Sequence, residues 1–143
     1  MRTLIFIVAA VAALSVASST MAVGRSAPTV SAKSSKYGKL LFDSRGFVLY
    51  AFTKDQRRSA CGGACAQKWP PYLVRHALTA GARVKSSLLG TVRRADGSRQ
   101  VTFAGRPLYF YVGDAKPGQI LCQNASEFGG LWLVVRPSGK LFR

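Results

Sequence analysis

Few residues of this chain can do acid/base, nucleophilic or metal chemistry: five carboxylates, one histidine and three cysteines among 143 residues. Two of the carboxylates, Asp55 and Asp114, close matched runs, Tyr50-Ala51-Phe52-Thr53-Lys54-Asp55 and Tyr109-Phe110-Tyr111-Val112-Gly113-Asp114, each preceded by a leucine. Two carboxylates brought together by an internal repeat can share a proton or an ion, which would suit acid/base or metal chemistry. An aspartate at a strand end more commonly accepts hydrogen bonds from backbone N–H groups two residues on and fixes a turn, and Pro117-Gly118 after Asp114 suits a turn. Asp43 and Asp96 stand among turn residues as well. That leaves little material for acid/base catalysis, so Asp55 and Asp114 are expected to play equivalent structural roles, and no catalytic residue is assigned.

Three cysteines in an exported chain imply one disulfide and one remaining thiol, with three pairings open. Cys61 and Cys65 are the favoured pair, because Gly62 and Gly63 between them let the backbone bend until the Cα atoms come within ~7 Å. Cys122 is then the free thiol. A redox role would call for the closer Cys-x-x-Cys spacing, and haem attachment fails because Ala66 follows Cys65. Zinc accepts three cysteines and a histidine, but structural sites draw on two close ligand pairs and only one is present here. His76, between Arg75 and Ala77, lies in a stretch that reads as a surface loop, so no metal ligand or cofactor is assigned. A redox or metal-handling protein using Cys61, Cys65 and Cys122 stands as the alternative function.

The elements that must position these groups follow from periodicity. Aromatic and branched residues accumulate over Phe47 to Phe52 and again over Pro107 to Val112, and both stretches read as strands. Side chains alternate along a strand, so Tyr50 and Phe52 share one face, as do Tyr109 and Tyr111, while Leu49 and Leu108 point to the other. Preceding strands and turns, LLFDSRG in one copy and VTFAGR in the other, make each unit a β-hairpin. Each continues through a Cys-bearing loop to a tryptophan, Trp69 or Trp132, and two such units are expected to bury their hydrophobic faces on one another. Short helical or looped excursions are expected around Ala60 to Lys68 and at Ser86 to Leu89.

At the N-terminus, Met1-Arg2, the apolar run Leu4 to Val16 and small residues through Ala22 have the layout of a secretory signal peptide cleaved near Ala22. The run is shorter than the ~20 residues of a membrane-spanning helix, so the mature chain is expected to carry no transmembrane span. Residues 23–36, poor in aromatics, read as a flexible leader before a single domain over 37–143. Loss of Arg2 takes the net charge from +16 to +15, with the basic residues scattered rather than clustered. Such a field favours anionic envelope surfaces or polymers, whereas alternating core-like aromatics and the absence of a nucleic-acid motif weigh against nucleic acid. Oligomeric state is not legible here.

With these motifs in place the chain resembles the bacterial secreted-repeat, predicted-lipoprotein family marked by a Tyr-x-aromatic-x-x-Asp motif. CGGACAQKWPPY from Cys61 resembles the family's Cys-x-x-x-Cys-Ala-x-x-Trp-Pro-Pro segment, RADGSRQVTFAGRPLYFYVGDAKPG its second hairpin, and LWLVVRPSGK its terminal strand. A lipidation cysteine carried by many members is missing, and Cys122 stands where none is expected. The resemblance implies a secreted protein and leaves the molecular function undetermined. The expectation is therefore an exported, mainly β, single-domain, non-enzymatic cell-envelope or binding module in the periplasm or outside the cell.

Overall fold

The first tyrosine run is extended and buried on two faces through Tyr50–Phe52, and the second is buried at Leu108 and Tyr109, as the alternation of aromatic and aliphatic residues requires. The computed structural model describes residues 29–143. The proposed signal peptide, its cleavage site and residues 23–28 of the expected leader lie outside them. Among the described residues the strands are β1 (Ser31–Ser35), β2 (Gly38–Phe42), β3 (Tyr50–Phe52), β4 (Leu89–Arg93), β5 (Arg99–Phe103), β6 (Arg106–Pro107), β7 (Ala125–Glu127) and β8 (Gly130–Val134). They form three small antiparallel sheets, β1–β2, β3–β8–β7 and β4–β5–β6, so the fold is mainly β and built from two hairpin-based halves. The two expected excursions are a five-residue helix α1 (Ala64–Lys68) and a 3-10 turn at Ser86–Leu88.

Two expectations change. Ser31–Ser35, inside the stretch expected to be a flexible leader, is a strand paired along its length with β2. Its Ser and Lys side chains gave no hydrophobic signal; backbone pairing and the buried Ala32 and neighbouring Val30 hold it. The second tyrosine run is not a continuous strand either: after Arg106–Pro107 it keeps only isolated bridges, Tyr109 to Tyr50 and Tyr109 to Pro71. Its neighbour Pro70-Pro71 has no backbone N–H to donate, so the ladder cannot run on.

The halves repeat one hydrogen-bond plan. Leu49 N–H donates to Leu41 C=O at 3.0 Å, and Leu108 N–H to Val101 C=O at 2.9 Å; Leu41 N–H donates to Val135 C=O at 2.9 Å, and Val101 N–H to Tyr72 C=O at 2.8 Å. Val135 N–H returns to Leu49 C=O at 3.3 Å as Tyr72 N–H does to Leu108 C=O at 2.9 Å. Leu41 thus matches Val101, Tyr50 matches Tyr109, and Trp69 matches Trp132. The two copies meet where Tyr50 and Tyr109 exchange both backbone bonds, at 3.0 and 2.9 Å. From this junction one core spreads on the tyrosine face, with Tyr50, Phe52, Trp69, Tyr109 and Trp132, and another on the leucine face, with Leu49, Val101, Phe103 and Leu108.

Candidate functional site

At the junction each tyrosine crosses to the aspartate of the other copy. The Tyr50 hydroxyl donates to Asp114 Oδ2 at 2.8 Å, and the Tyr109 hydroxyl donates to Asp55 Oδ2 at 2.8 Å. The second oxygen of each carboxylate accepts a backbone N–H from its own loop, Leu121 on Asp114 Oδ1 at 2.9 Å and Ala60 on Asp55 Oδ1 at 2.7 Å. The sequence reading placed amide partners two residues on. Here they stand five and seven residues on, so each carboxylate fastens a whole loop rather than a tight turn. Local caps of the expected kind occur at Asp43, which accepts from Arg45 N–H, and at Asp96, which accepts from Ser98 N–H.

Burial governs the ionisation of this set. It raises the hydroxyls of Tyr50 and Tyr109 far above the ordinary tyrosine range, so both remain donors. It also raises the carboxyls of Asp55 and Asp114, against which the amide and tyrosine bonds pull only part of the way back. The two aspartates share no hydrogen-bond partner, each being held by its own tyrosine and its own amide. Both oxygens of each are occupied within the protein, an arrangement suited to locking two halves together rather than to passing a proton to a substrate.

The tryptophans lie over the same junction. Trp69 and Trp132 stack with centroids 4.0 Å apart and planes within 5°, Phe52 stacks on the outer face of Trp132 at 4.2 Å, and Tyr111 leans on Trp69 at 4.8 Å. Tyr50 meets Trp69 edge-on at 5.2 Å as Tyr109 meets Trp132 at 5.1 Å. Trp69 and Trp132 are matched residues, and each other contact has its counterpart in the other copy: Phe52–Trp132 with Tyr111–Trp69, and Tyr50–Trp69 with Tyr109–Trp132. The match fails at one atom: Trp69 Nε1 donates to Glu127 Oε2 at 2.9 Å, while Trp132 Nε1 is buried without an acceptor. Glu127 lies five residues before Trp132, and five before Trp69 the chain has Ala64, whose methyl accepts nothing.

Cys61 and Cys65 form the disulfide, with Cα atoms 5.3 Å apart, and Cys122 carries a free thiol. The bridge removes two of the three thiols from any shared metal set, which argues against the metal-handling alternative. Cys122 follows the amide bonded to Asp114 as Cys61 follows the amide bonded to Asp55, so the unexpected cysteine is the second copy of the first. His76 is exposed, with Nδ1 3.2 Å from Ala77 C=O.

Sequence reasoning missed a polar cluster beside Asp55. Arg94 donates through Nη1 to Ser59 Oγ at 2.6 Å and Gln100 Oε1 at 2.8 Å, and through Nη2 to Cys61 C=O at 2.8 Å. Gln100, fully buried, donates in turn to Leu108 C=O. Ser59 Oγ is 2.7 Å from the Tyr109 oxygen, which is free to accept because its own proton goes to Asp55. The signal for this cluster was Gln100 standing where its copy has Leu40, a polar residue at a core position.

A model of the family described as a secreted repeat of unknown function matches residues 31–72 and 90–136, more than half of the chain in two copies. The protein belongs to that family of secreted repeats. The two matched regions start at the paired strands β1 and β4 and cover both tyrosine runs and both tryptophans. Neither the curated proteins nor the solved structures contain a match to the chain.

Proposed function

We propose that the protein is an exported, non-enzymatic cell-envelope or binding module that docks to anionic partners through its positive surface. The observation that carries this reading is the use the fold makes of its acids. All five are engaged internally: Asp43 with Arg45, Asp55 with Tyr109, Asp96 with Ser98, Asp114 with Tyr50 and Glu127 with Lys68 and Trp69. Only Arg45 and Lys68 among the described cations pair with a carboxylate within 4 Å, so most of the described Lys and Arg residues are left to face solvent or a partner. A surface of one sign attracts oppositely charged polymers and membranes over a screening length of roughly 8 Å at physiological salt. No helix of the described residues is long and apolar enough to cross a membrane. Cell envelopes carrying the protein, washed at rising salt, are expected to release it progressively; retention that ignores ionic strength would remove the basis of the reading.

A further inference from the structure

The internal duplication gives the protein two copies of one groove, and they are finished differently. Each groove lies between the end of the first hairpin of a copy and the loop fastened by a motif aspartate. One is lined by Arg58, Ser59, Arg93 and Arg94, the other by Lys33, Ser35, Lys36 and Ile120. The strand registers set the correspondence. Ala32 pairs with Leu41 as Thr91 pairs with Val101, so Ser35, three residues after Ala32, takes the place of Arg94. Counting back from the matched cysteines, Ile120 takes the place of Ser59, and Leu40 that of Gln100.

In the first groove the Arg94 guanidinium lies in the wall, its Nη1 donating to Ser59 and Gln100 and its Nη2 to the Cys61 carbonyl while Nε is buried without an acceptor, and the open space of about 510 Å³ is bordered by Arg58, Ser59 and Arg93. The second groove has lost the arginine and both side-chain acceptors. Ser35 turns its hydroxyl to Gly38 C=O at 2.7 Å, and the floor is apolar, with Phe42 and Ile120 buried and Leu121 61% exposed. An open space of about 600 Å³ remains, rimmed by Lys33, Lys36 and Arg45 with no carboxylate in its lining. Arg45 is bonded through Nε to Asp43; Lys33 and Lys36 have no carboxylate partner within 4 Å.

We propose that this apolar-floored groove is a binding site for an anionic phospholipid, with the phosphate headgroup held by Lys33, Lys36 and Arg45 and the adjoining acyl carbons on Phe42, Ile120 and Leu121. Cations around an apolar floor match the two ends of such a molecule, where a purely polar polyanion would use the rim alone. The site rests on the reading of the protein as an anion-docking module and gives that reading a specific location. The rest of the positive surface needs no such floor.

Titration of the exported protein by calorimetry with dihexanoylphosphatidylglycerol, kept below its micelle concentration, tests the site. One molecule is expected to bind per chain, at least tenfold more tightly than inorganic phosphate or dihexanoylphosphatidylcholine. Ser35→Trp, which occludes the groove without changing charge, and Leu121→Ser, an exposed change that spares the core, are expected to weaken binding at least tenfold and threefold respectively. Arg93→Glu in the groove that lacks an apolar floor is expected to leave it within twofold. Equal binding of inorganic phosphate, equal binding of the zwitterionic lipid, or indifference to both groove variants would each overturn the proposal. Retention of the same proteins on a sulfated polysaccharide matrix separates the two readings. Salt-sensitive retention without lipid binding sinks the groove alone, and loss of retention at low salt sinks the wider anion-docking reading.

Discussion

Asp55 and Asp114 each spend one oxygen on a tyrosine of the opposite copy and one on a backbone amide, and this double use sets what a substitution does. Asparagine keeps an acceptor for the amide and can donate to the tyrosine oxygen, so Asp55→Asn and Asp114→Asn are expected to cost less than ~1 kcal/mol in equilibrium unfolding. Alanine strands a buried hydroxyl and an amide together, and about 1–3 kcal/mol is expected for Asp114→Ala. The pH response follows from the raised carboxyls. A group bound more tightly to its proton when folded contributes stability that is full below the unfolded value, near 3.9 for aspartate, and lost as pH rises through the higher folded value. Asp96 and Glu127, held low chiefly by hydrogen bonds from Ser98 and Lys68, act in the opposite sense, and their contribution is lost only as pH falls through their folded values below the ordinary range. Thermal unfolding between pH 7 and 4.5 is therefore expected to favour wild type progressively over the Asp55→Asn/Asp114→Asn double variant as the medium is acidified. Parallel curves would show that the two carboxyls are not raised. The sequence displayed these aspartates and their equivalence but not their partners, because a hydrogen bond between residues 64 apart leaves no local pattern.

Secondary-structure elements in this protein are too short to stand alone, and the four-ring column of Phe52, Trp132, Trp69 and Tyr111 ties them together. Phe52→Ala removes an end of the column from the tyrosine-face core and is expected to cost about 3–5 kcal/mol, measured by denaturant unfolding. The Cys61–Cys65 bridge closes a ring of only five residues, so Cys61→Ser/Cys65→Ser is expected to lose about 2 kcal/mol by chain entropy, well short of abolishing the fold. Turn chemistry shows where the second hairpin was legible. Ala104 and Gly105 both adopt positive φ, at 49° and 76°, the geometry of a two-residue hairpin turn, and alanine is the wrong residue for its first position. Ala104→Gly is accordingly expected to stabilise the protein by about 0.5 kcal/mol or more, seen as a rise in Tm. The second hairpin, β5 with β6, and both helical excursions could be read from turn residues and alternation, whereas the first expected hairpin keeps only a Phe42–Val48 bridge because Tyr50–Phe52 pairs with β8. Strand β1 could not, since Ser-Ala-Lys-Ser-Ser owes its structure to the backbone of β2 and carries almost no apolar signal of its own. The shortening of the second tyrosine strand was similarly hidden, because its cause is a pair of prolines nearly forty residues away.

At the scale of the whole molecule the protein is one duplicated unit closed on its own copy. Neither copy buries its tyrosine face without the other, since Trp132 completes the packing of Tyr109 and Phe52 just as Trp69 completes that of Tyr50 and Tyr111. The sequence made the duplication visible through matched spacing, whereas the exchange of partners across the junction needed the three-dimensional arrangement. The copies differ at Arg94 against Ser35, at buried Gln100 against Leu40 and at Glu127 against Ala64, while the tyrosines, aspartates and tryptophans that make the exchange match. The measurement that bears most directly on this account is a set of double-mutant cycles in equilibrium unfolding, built from Tyr50→Phe, Tyr109→Phe, Asp55→Asn and Asp114→Asn. Exchange predicts coupling of about 1–3 kcal/mol for Tyr50 with Asp114 and for Tyr109 with Asp55, and additivity within ~0.5 kcal/mol for Tyr50 with Asp55 and Tyr109 with Asp114. Coupling confined to the tyrosine and aspartate of the same copy would contradict it.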